Sequence, residues 1–272
     1  MELERLFKEL RFPGDIQRAI RRKLRRDGQQ VAELTKTAYA GEAPDFPLRR
    51  QRPLMRLAVV VCLLPEKFED YRARGIPEAV ILDTFRDVSL RARLYRERSG
   101  RAGLSEEDVI WLRHIMQVAL FQLGALQFQP FSMVYLDEET LGEPYMRFPA
   151  EVKRALPAGT PVLNCHIPQG TDLRAQSVEQ SFSLARQFFA AHFPAVPFRV
   201  FLCYSWLLYP PMTAQLPEGS RIRQFAGRFR IIGSCPDPEQ ARENLSGEAT
   251  ALQILAAQQP GALGFACGVI PL

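Results

Sequence analysis

The apolar residues of this chain change their period once, near Phe121, and that change limits the fold more than any single motif does. Before it they recur at helical spacing: Leu3, Leu6, Phe7 and Leu10, then Ile16, Ala19, Ile20 and Leu24, then Val80, Ile81, Thr84, Phe85 and Val88, then Val109, Leu112, Ile115, Met116 and Ala119. After it come short strand-like runs with helices between them. The pattern predicts a helical part over residues 1–120 and an α/β part over residues 121–272.

Within the first part, Pro13-Gly14-Asp15 ends one helix, and Asp15 can cap the next. A separate helix is expected from about Gln29 to Ala38, and another over Leu54 to Tyr71 with Pro65 kinking or ending it. Pro77 suits the first position of the following helix, and Ser105 opens one more. In the second part, strands are expected over Leu126–Tyr135 with a break, Tyr145–Phe148, Thr160–Ile167, Phe198–Ser205, Phe229–Gly233 and Phe265–Ile270. Helices are expected over Ser177–Phe193, Met212–Leu216, Arg221–Phe225, Pro238–Asn244 and Glu248–Gln258.

The 272 residues are 47% hydrophobic, enough for a sizeable core. The longest apolar run, Leu57 to Leu64, is too short to span a bilayer, and Met1 to Leu10 is too charged for a signal peptide. Five cysteines, Cys62, Cys165, Cys203, Cys235 and Cys267, form no CxxC pair. They suit buried free thiols in a reducing cytoplasm rather than a zinc site or a disulfide framework. The net charge of +5 is uneven, with Arg18, Arg21, Arg22, Lys23, Arg25 and Arg26 close together. No aromatic residue interleaves them, so a solvated helix face is favoured over nucleic-acid binding.

Two segments carry reactive side chains. In the first, Asn164-Cys165-His166 ends a strand, Pro168-Gln169-Gly170-Thr171-Asp172 makes a tight loop, and Arg174 precedes a helix. Alternation puts Val162, Asn164 and His166 on one face. His166 suits proton transfer near neutral pH. The loop and helix start suit an anion, and the other interpretation is an ordinary connection with a structural histidine. In the second, the run Phe201 to Leu208 ends in Cys203, Tyr204, Ser205 and Trp206 before Pro210-Pro211. Tyr204 and Ser205 could donate protons, or the strand could be purely core. Asp83 with Asp87, and Glu179 with Ser183 and Arg186, fit surface ion pairs better than sites. The chain contains no GxSxG, Walker, GxGxxG or HExxH pattern.

Leu123-Gly124-Ala125-Leu126-Gln127-Phe128, His166-Ile167-Pro168 with Gly170 and Leu173, Ser181 to Phe189, Cys203 to Leu208 and Ser220 to Phe225 occur in that order, with Arg74-Gly75-Ile76-Pro77 and Asp83-Thr84 upstream. In these residues the chain resembles bacterial acyltransferase-like proteins with a helical N-acyltransferase N-terminal domain and a GNAT-like C-terminal domain. The resemblance implies an α+β fold: a helical domain followed by a mixed β-sheet flanked by helices. It implies a cytoplasmic N-acyltransferase using acetyl-CoA or another acyl-CoA as co-substrate, without a metal, on a small-molecule or peptide amine. It also implies that Gln169, Gly170, Thr171, Arg174 and Cys203 hold the cofactor and that His166, Tyr204 and Ser205 are catalytic. The loop has one glycine where the family signature, Gln/Arg-x-x-Gly-x-Gly/Ala, has two small residues. The alternative expectation is a non-catalytic ligand-binding or scaffold protein on the same fold.

Overall fold

The stretch from Leu57 to Val61 is wholly buried, because it is the middle of a helix covered on every side. A computed structural model describes residues 2–42, 44–239 and 261–272. The chain divides into two units, Met1–Gln122 and Leu123–Leu272.

The first unit contains α1 (Leu3–Glu9), α2 (Gly14–Thr37), α3 (Pro53–Ala73), α4 (Glu78–Ser99) and α5 (Glu106–Met116). Helix α3 packs against α2, α4 and α5. It runs unbroken through Pro65, although proline removes one ladder bond there. The buried surface on both sides of Pro65 outweighs that loss. Helix α2 absorbs the separate helix expected from Gln29, with one non-helical residue, Asp27, marking the join. Asp15 does not cap α2; it lies in the first turn and pairs with Arg96 at 2.5 Å. Ser105 does cap α5, in a reciprocal box with Asp108.

Several buried polar groups in this unit are matched, whereas the Tyr39 hydroxyl and Arg113 Nη1 are buried without a hydrogen-bond partner among the described residues. Arg56 donates to the Arg49 and Leu104 carbonyls and to Glu106. Asp87 is not a surface carboxylate: it accepts from Arg91 Nε at 3.0 Å and Trp111 Nε1 at 2.7 Å. Tyr71 donates its hydroxyl to the Leu120 carbonyl at 2.9 Å.

The second unit is built on a six-stranded sheet in the order β1-β2-β3-β4-β6-β5, with β1 (Phe121–Leu123), β2 (Leu126–Ser132), β3 (Pro161–His166), β4 (Val200–Ser205), β5 (Arg230–Pro236) and β6 (Gly264–Pro271). Strands β3 and β4 pair in parallel, and helix α8 (Ala175–His192) makes the crossover between them. Short helices α6 (Glu138–Leu141) and α7 (Ala150–Ala155) precede β3. A 3-10 turn (Trp206–Leu208), α9 (Pro210–Ala214) and α10 (Arg221–Ala226) follow β4. The expected strand at Tyr145–Phe148 does not form. Pro144 and Pro149 bracket it, Tyr145 donates to Asp237 and Phe148 packs edge-on against Tyr135. Apart from Pro238 and Glu239, the helices expected over Pro238–Asn244 and Glu248–Gln258 lie outside the described residues.

Strand alternation gives the sheet two apolar faces. On one, Phe128 and Phe201 meet Phe182 of α8 at ring separations of 5.7 and 4.9 Å. On the other, Val162, Leu202, Cys267 and Val269 meet Met133, Tyr135, Met146, Val152 and Leu156 from the β2–β3 connection. Among the described residues no helix is long and apolar enough to cross a membrane. Phe182 is 2% exposed and touches three other rings. Phe182→Ala is expected to lower stability by about 3–5 kcal/mol, measured by denaturant unfolding.

Candidate active site

Strands β3 and β4 start together and then part. The Arg199 amide donates to the Pro161 carbonyl at 3.0 Å, and the registered pairs are Leu163 with Phe201 and Asn164 with Leu202. Beyond them, β3 stays paired to β2 as far as His166, opposite Gln127, and β4 stays paired to β6 as far as Ser205, opposite Ala266. The last residues of the two central strands are thus held by their outer neighbours rather than by each other. Past Asn164 and Leu202 the two strand ends are not registered against each other, an arrangement in which an extended guest chain could lie alongside them.

His166 ends β3 beside this divergence, half-buried, on the face shared with Val162 and Asn164. Its Nε2 lies 3.0 Å from Gln129 Oε1. Gln129 and Gln127 are buried side chains on β2, opposite Asn164 and His166. Sequence reasoning passed over both glutamines, yet the alternation in Leu126-Gln127-Phe128-Gln129 carried the signal: two polar residues at the inward positions of a strand.

Tyr204 and Ser205 end β4 on opposite faces. The Tyr204 hydroxyl donates to the Val134 carbonyl at 2.6 Å, and its ring stacks on Phe265. Burial, and then Cys267 beside it, raise this phenol well above its ordinary range. Its proton is therefore engaged in anchoring the β2–β3 connection. Ser205 is buried, and its Oγ accepts from the Leu207 amide at 3.1 Å, capping the 3-10 turn. That contact uses a lone pair and leaves the hydroxyl proton to be donated. Cys203 points away from Tyr204, into the face packed by α8. Its thiol is fully buried beside Cys165, and that contact together with burial raises it. Only the backbone of Cys203 is available to a ligand in the gap.

The loop after β3 is a turn in which the Thr171 amide donates to the Pro168 carbonyl at 3.1 Å, with Gly170 at φ 77°. Positive φ at the third position is what glycine allows cheaply. Gln169 and Gly170 are exposed, and open space surrounds Gly170. The Thr171 hydroxyl is turned back onto the Pro168 carbonyl. Arg174 is exposed and tied to Asp172, with Nη2 2.7 Å from the carboxylate. Asp172 also accepts from the Arg174 amide and Ser177 Oγ. The bonds from Arg174 and Ser177 hold its carboxyl well below the usual range. Glu179 pairs with Arg228, and Arg186 lies over the Phe201 ring, so their helix face is structural. No cluster of His, Cys, Asp and Glu suited to a metal occurs among the described residues.

Residues 120–263 match the GNAT-like C-terminal domain, and residues 1–118 match the N-acyltransferase N-terminal domain. The chain belongs to the family that joins these two domains. No curated protein matches it in sequence. Among solved structures it is similar to an acyltransferase in complex with decanoyl-CoA and teicoplanin, with a TM-score of 0.71 and 20% identity over 100% of this chain and 88% of that one. It is also similar to an acyltransferase in complex with decanoyl-CoA, with a TM-score of 0.70 and 22% identity over 99% and 87%.

Burial of the Cys203 and Cys267 side chains makes a direct expectation. Neither should react with a maleimide in the native state near neutral pH, and both should label on unfolding, as read by mass spectrometry of the labelled peptides.

Proposed function

We propose that the chain is an acyl-CoA-dependent N-acyltransferase that moves an acyl group from a CoA thioester to an amine of a small molecule or peptide by direct attack. The observation that carries this proposal is the parting of β3 and β4 after Asn164 and Leu202, with His166 on one strand end and Ser205 on the other. The pantetheine arm of CoA is an extended chain with two amides. It has the length and the donor and acceptor groups to lie along separated strand edges, as an added strand does.

The exposed Gln169-Gly170-Thr171 turn and Arg174 would receive the phosphates, with the start of α8 behind them. Cys203 would contribute through its backbone, polarising the thioester carbonyl. His166 would take a proton from the acceptor ammonium, directly or by one water. The amine lone pair then attacks the carbonyl carbon, the C–N bond forms and the C–S bond breaks. The departing thiolate takes the Ser205 proton. Register puts Tyr204 on the face of His166 and Ser205 on the face of α8; Ser205 keeps its proton, whereas that of Tyr204 is already given to Val134. The similar acyltransferases hold decanoyl-CoA and teicoplanin, which supports a thioester donor and a small-molecule acceptor here. Five free thiols fit a reducing bacterial cytoplasm. The acyl-transfer residues all fall in a domain that begins at residue 121, after a helical domain over residues 1–120.

Thiol release from a panel of acyl-CoAs with amine acceptors tests the proposal. His166→Ala is expected to lower kcat by about 10²–10⁴; unchanged transfer would remove His166 from the mechanism. Ser205→Ala should lower kcat more than Tyr204→Phe does. Tyr204→Phe should chiefly cost about 1 kcal/mol of stability through its lost bond to Val134. No thiol release from any thioester would leave the chain a binding protein.

A further inference from the structure

Two buried glutamines give one face of β2 a polar end. Gln127, Gln129 and Phe131 share that face, while Phe128 takes the other, against Phe182 of α8. The antiparallel register sets Gln127 opposite His166, Gln129 opposite Asn164 and Phe131 opposite Val162. Phe131 and Val162 belong to the apolar cluster under the β2–β3 connection. The same face thus changes from hydrocarbon to amide and imidazole toward the end of β3. Gln127 and Gln129 are only 1% and 6% exposed. Glutamine is a poor choice for such a position on stability grounds alone. Ordering it costs more rotamer freedom than ordering leucine, and its amide must find partners to offset the water it gives up.

Gln129 reaches the His166 ring diagonally. Its direct ladder partner is Asn164, so His166 stands two residues further along β3. Diagonal neighbours on one face lie about 7–8 Å apart, a span that only a long side chain closes. The Gln129 amide meets His166 Nε2 at 3.0 Å, and Gln127, although directly opposite His166, has no part in that contact. An imidazole takes its direction from such a bond. Its χ2 torsion is broad and two-fold. Turning the ring over puts a carbon where Nε2 stood, so one orientation keeps the bond and the other loses it. The bond also selects between the neutral tautomers. Whichever end the amide presents, a neutral ring answers it with Nε2 as donor or with Nε2 as acceptor, never both. Gln129 is buried on a paired strand and does not follow a turning ring. An amide also orients without the charge by which a carboxylate favours imidazolium, and a base must be neutral to receive a proton.

We infer that Gln129 is the positioning residue of His166. It holds the imidazole in one orientation and one tautomer, so that the same ring nitrogen meets the acceptor ammonium in every turnover. This rests on the acyl-transfer proposal above, in which His166 takes that proton. Gln129 acts through the ring.

The test reads the ring directly. The chain is labelled with nitrogen-isotope histidine, and the His166 signals are assigned among its three histidines by their loss in His166→Ala. Long-range proton–nitrogen correlation spectra are then recorded without substrate, at a pH where the ring is neutral. One dominant tautomer is expected in the wild type. Gln129→Leu should bring the two ring-nitrogen shifts together by about half or more, as the tautomers exchange. Gln129→Asn keeps the amide but falls one methylene short, so it should do the same, and it carries the test where the leucine variant does not fold. Gln127→Leu makes the same change on the same face and should leave the shifts in place. In thiol-release assays Gln129→Leu should lower kcat by about tenfold to a hundredfold, with KM for the thioester within about twofold. Unchanged His166 shifts in the Gln129 variants overturn the inference, as does an equal change in Gln127→Leu. Altered shifts with undiminished kcat overturn it as well. Altered shifts in a chain whose wild type releases thiol from no thioester uphold the hold on the ring and overturn the proposed function.

Discussion

The sheet of the second unit depends on how briefly its two central strands are joined. A parallel pair needs a crossover, and α8 supplies it, with Phe182 packed against Phe128 of β2 and Phe201 of β4. Those ring contacts hold the paired ends of the strands at Leu163 and Phe201. The far ends follow their outer partners instead, β3 staying with β2 and β4 with β6. An open seam can therefore sit in the middle of a sheet whose two faces are otherwise filled. Such a seam suits a fold in which an extended ligand takes the missing strand's place.

A different constraint organises the helical unit. Helix α3 is apolar nearly all round from Leu57 to Leu64, so its neighbours must meet that half with apolar stripes. Arg56, Asp87 and Tyr71 are among the polar groups that remain inside, and each of these three has partners from another segment: Arg49, Leu104 and Glu106 for the first, Trp111 for the second, Leu120 for the third. These contacts fix the helices against one another with a directionality that hydrophobic contact lacks.

Long periodic elements were legible in the sequence. The helices at Glu78–Ser99, Glu106–Met116 and Ala175–His192, and the strands at Pro161–His166, Val200–Ser205 and Gly264–Pro271, follow from apolar spacing within a few residues at each end. Local punctuation misled where tertiary burial outweighed it. Pro65 did not end α3, and Gln29 did not start a new helix. Tyr145 to Phe148 has strand-like composition but sits between two prolines and joins no sheet among the described residues. At the candidate site, strand parity placed His166 with Asn164 and separated Tyr204 from Ser205. Which hydroxyl keeps its proton depends on Val134 and Leu207, contacts that no spacing rule reveals.

The all-round burial of α3 has a consequence for biogenesis. Met55 to Leu64 packs on the earlier α2 but is fully covered only once α4 and α5, residues 78 to 116, have been made and docked. Until then the growing chain presents an uncharged run, Leu57 to Leu64, with strong β-branched character at Val59, Val60 and Val61. Synthesis that pauses within α4 exposes that run to chaperones, whereas synthesis that pauses after α5 does not.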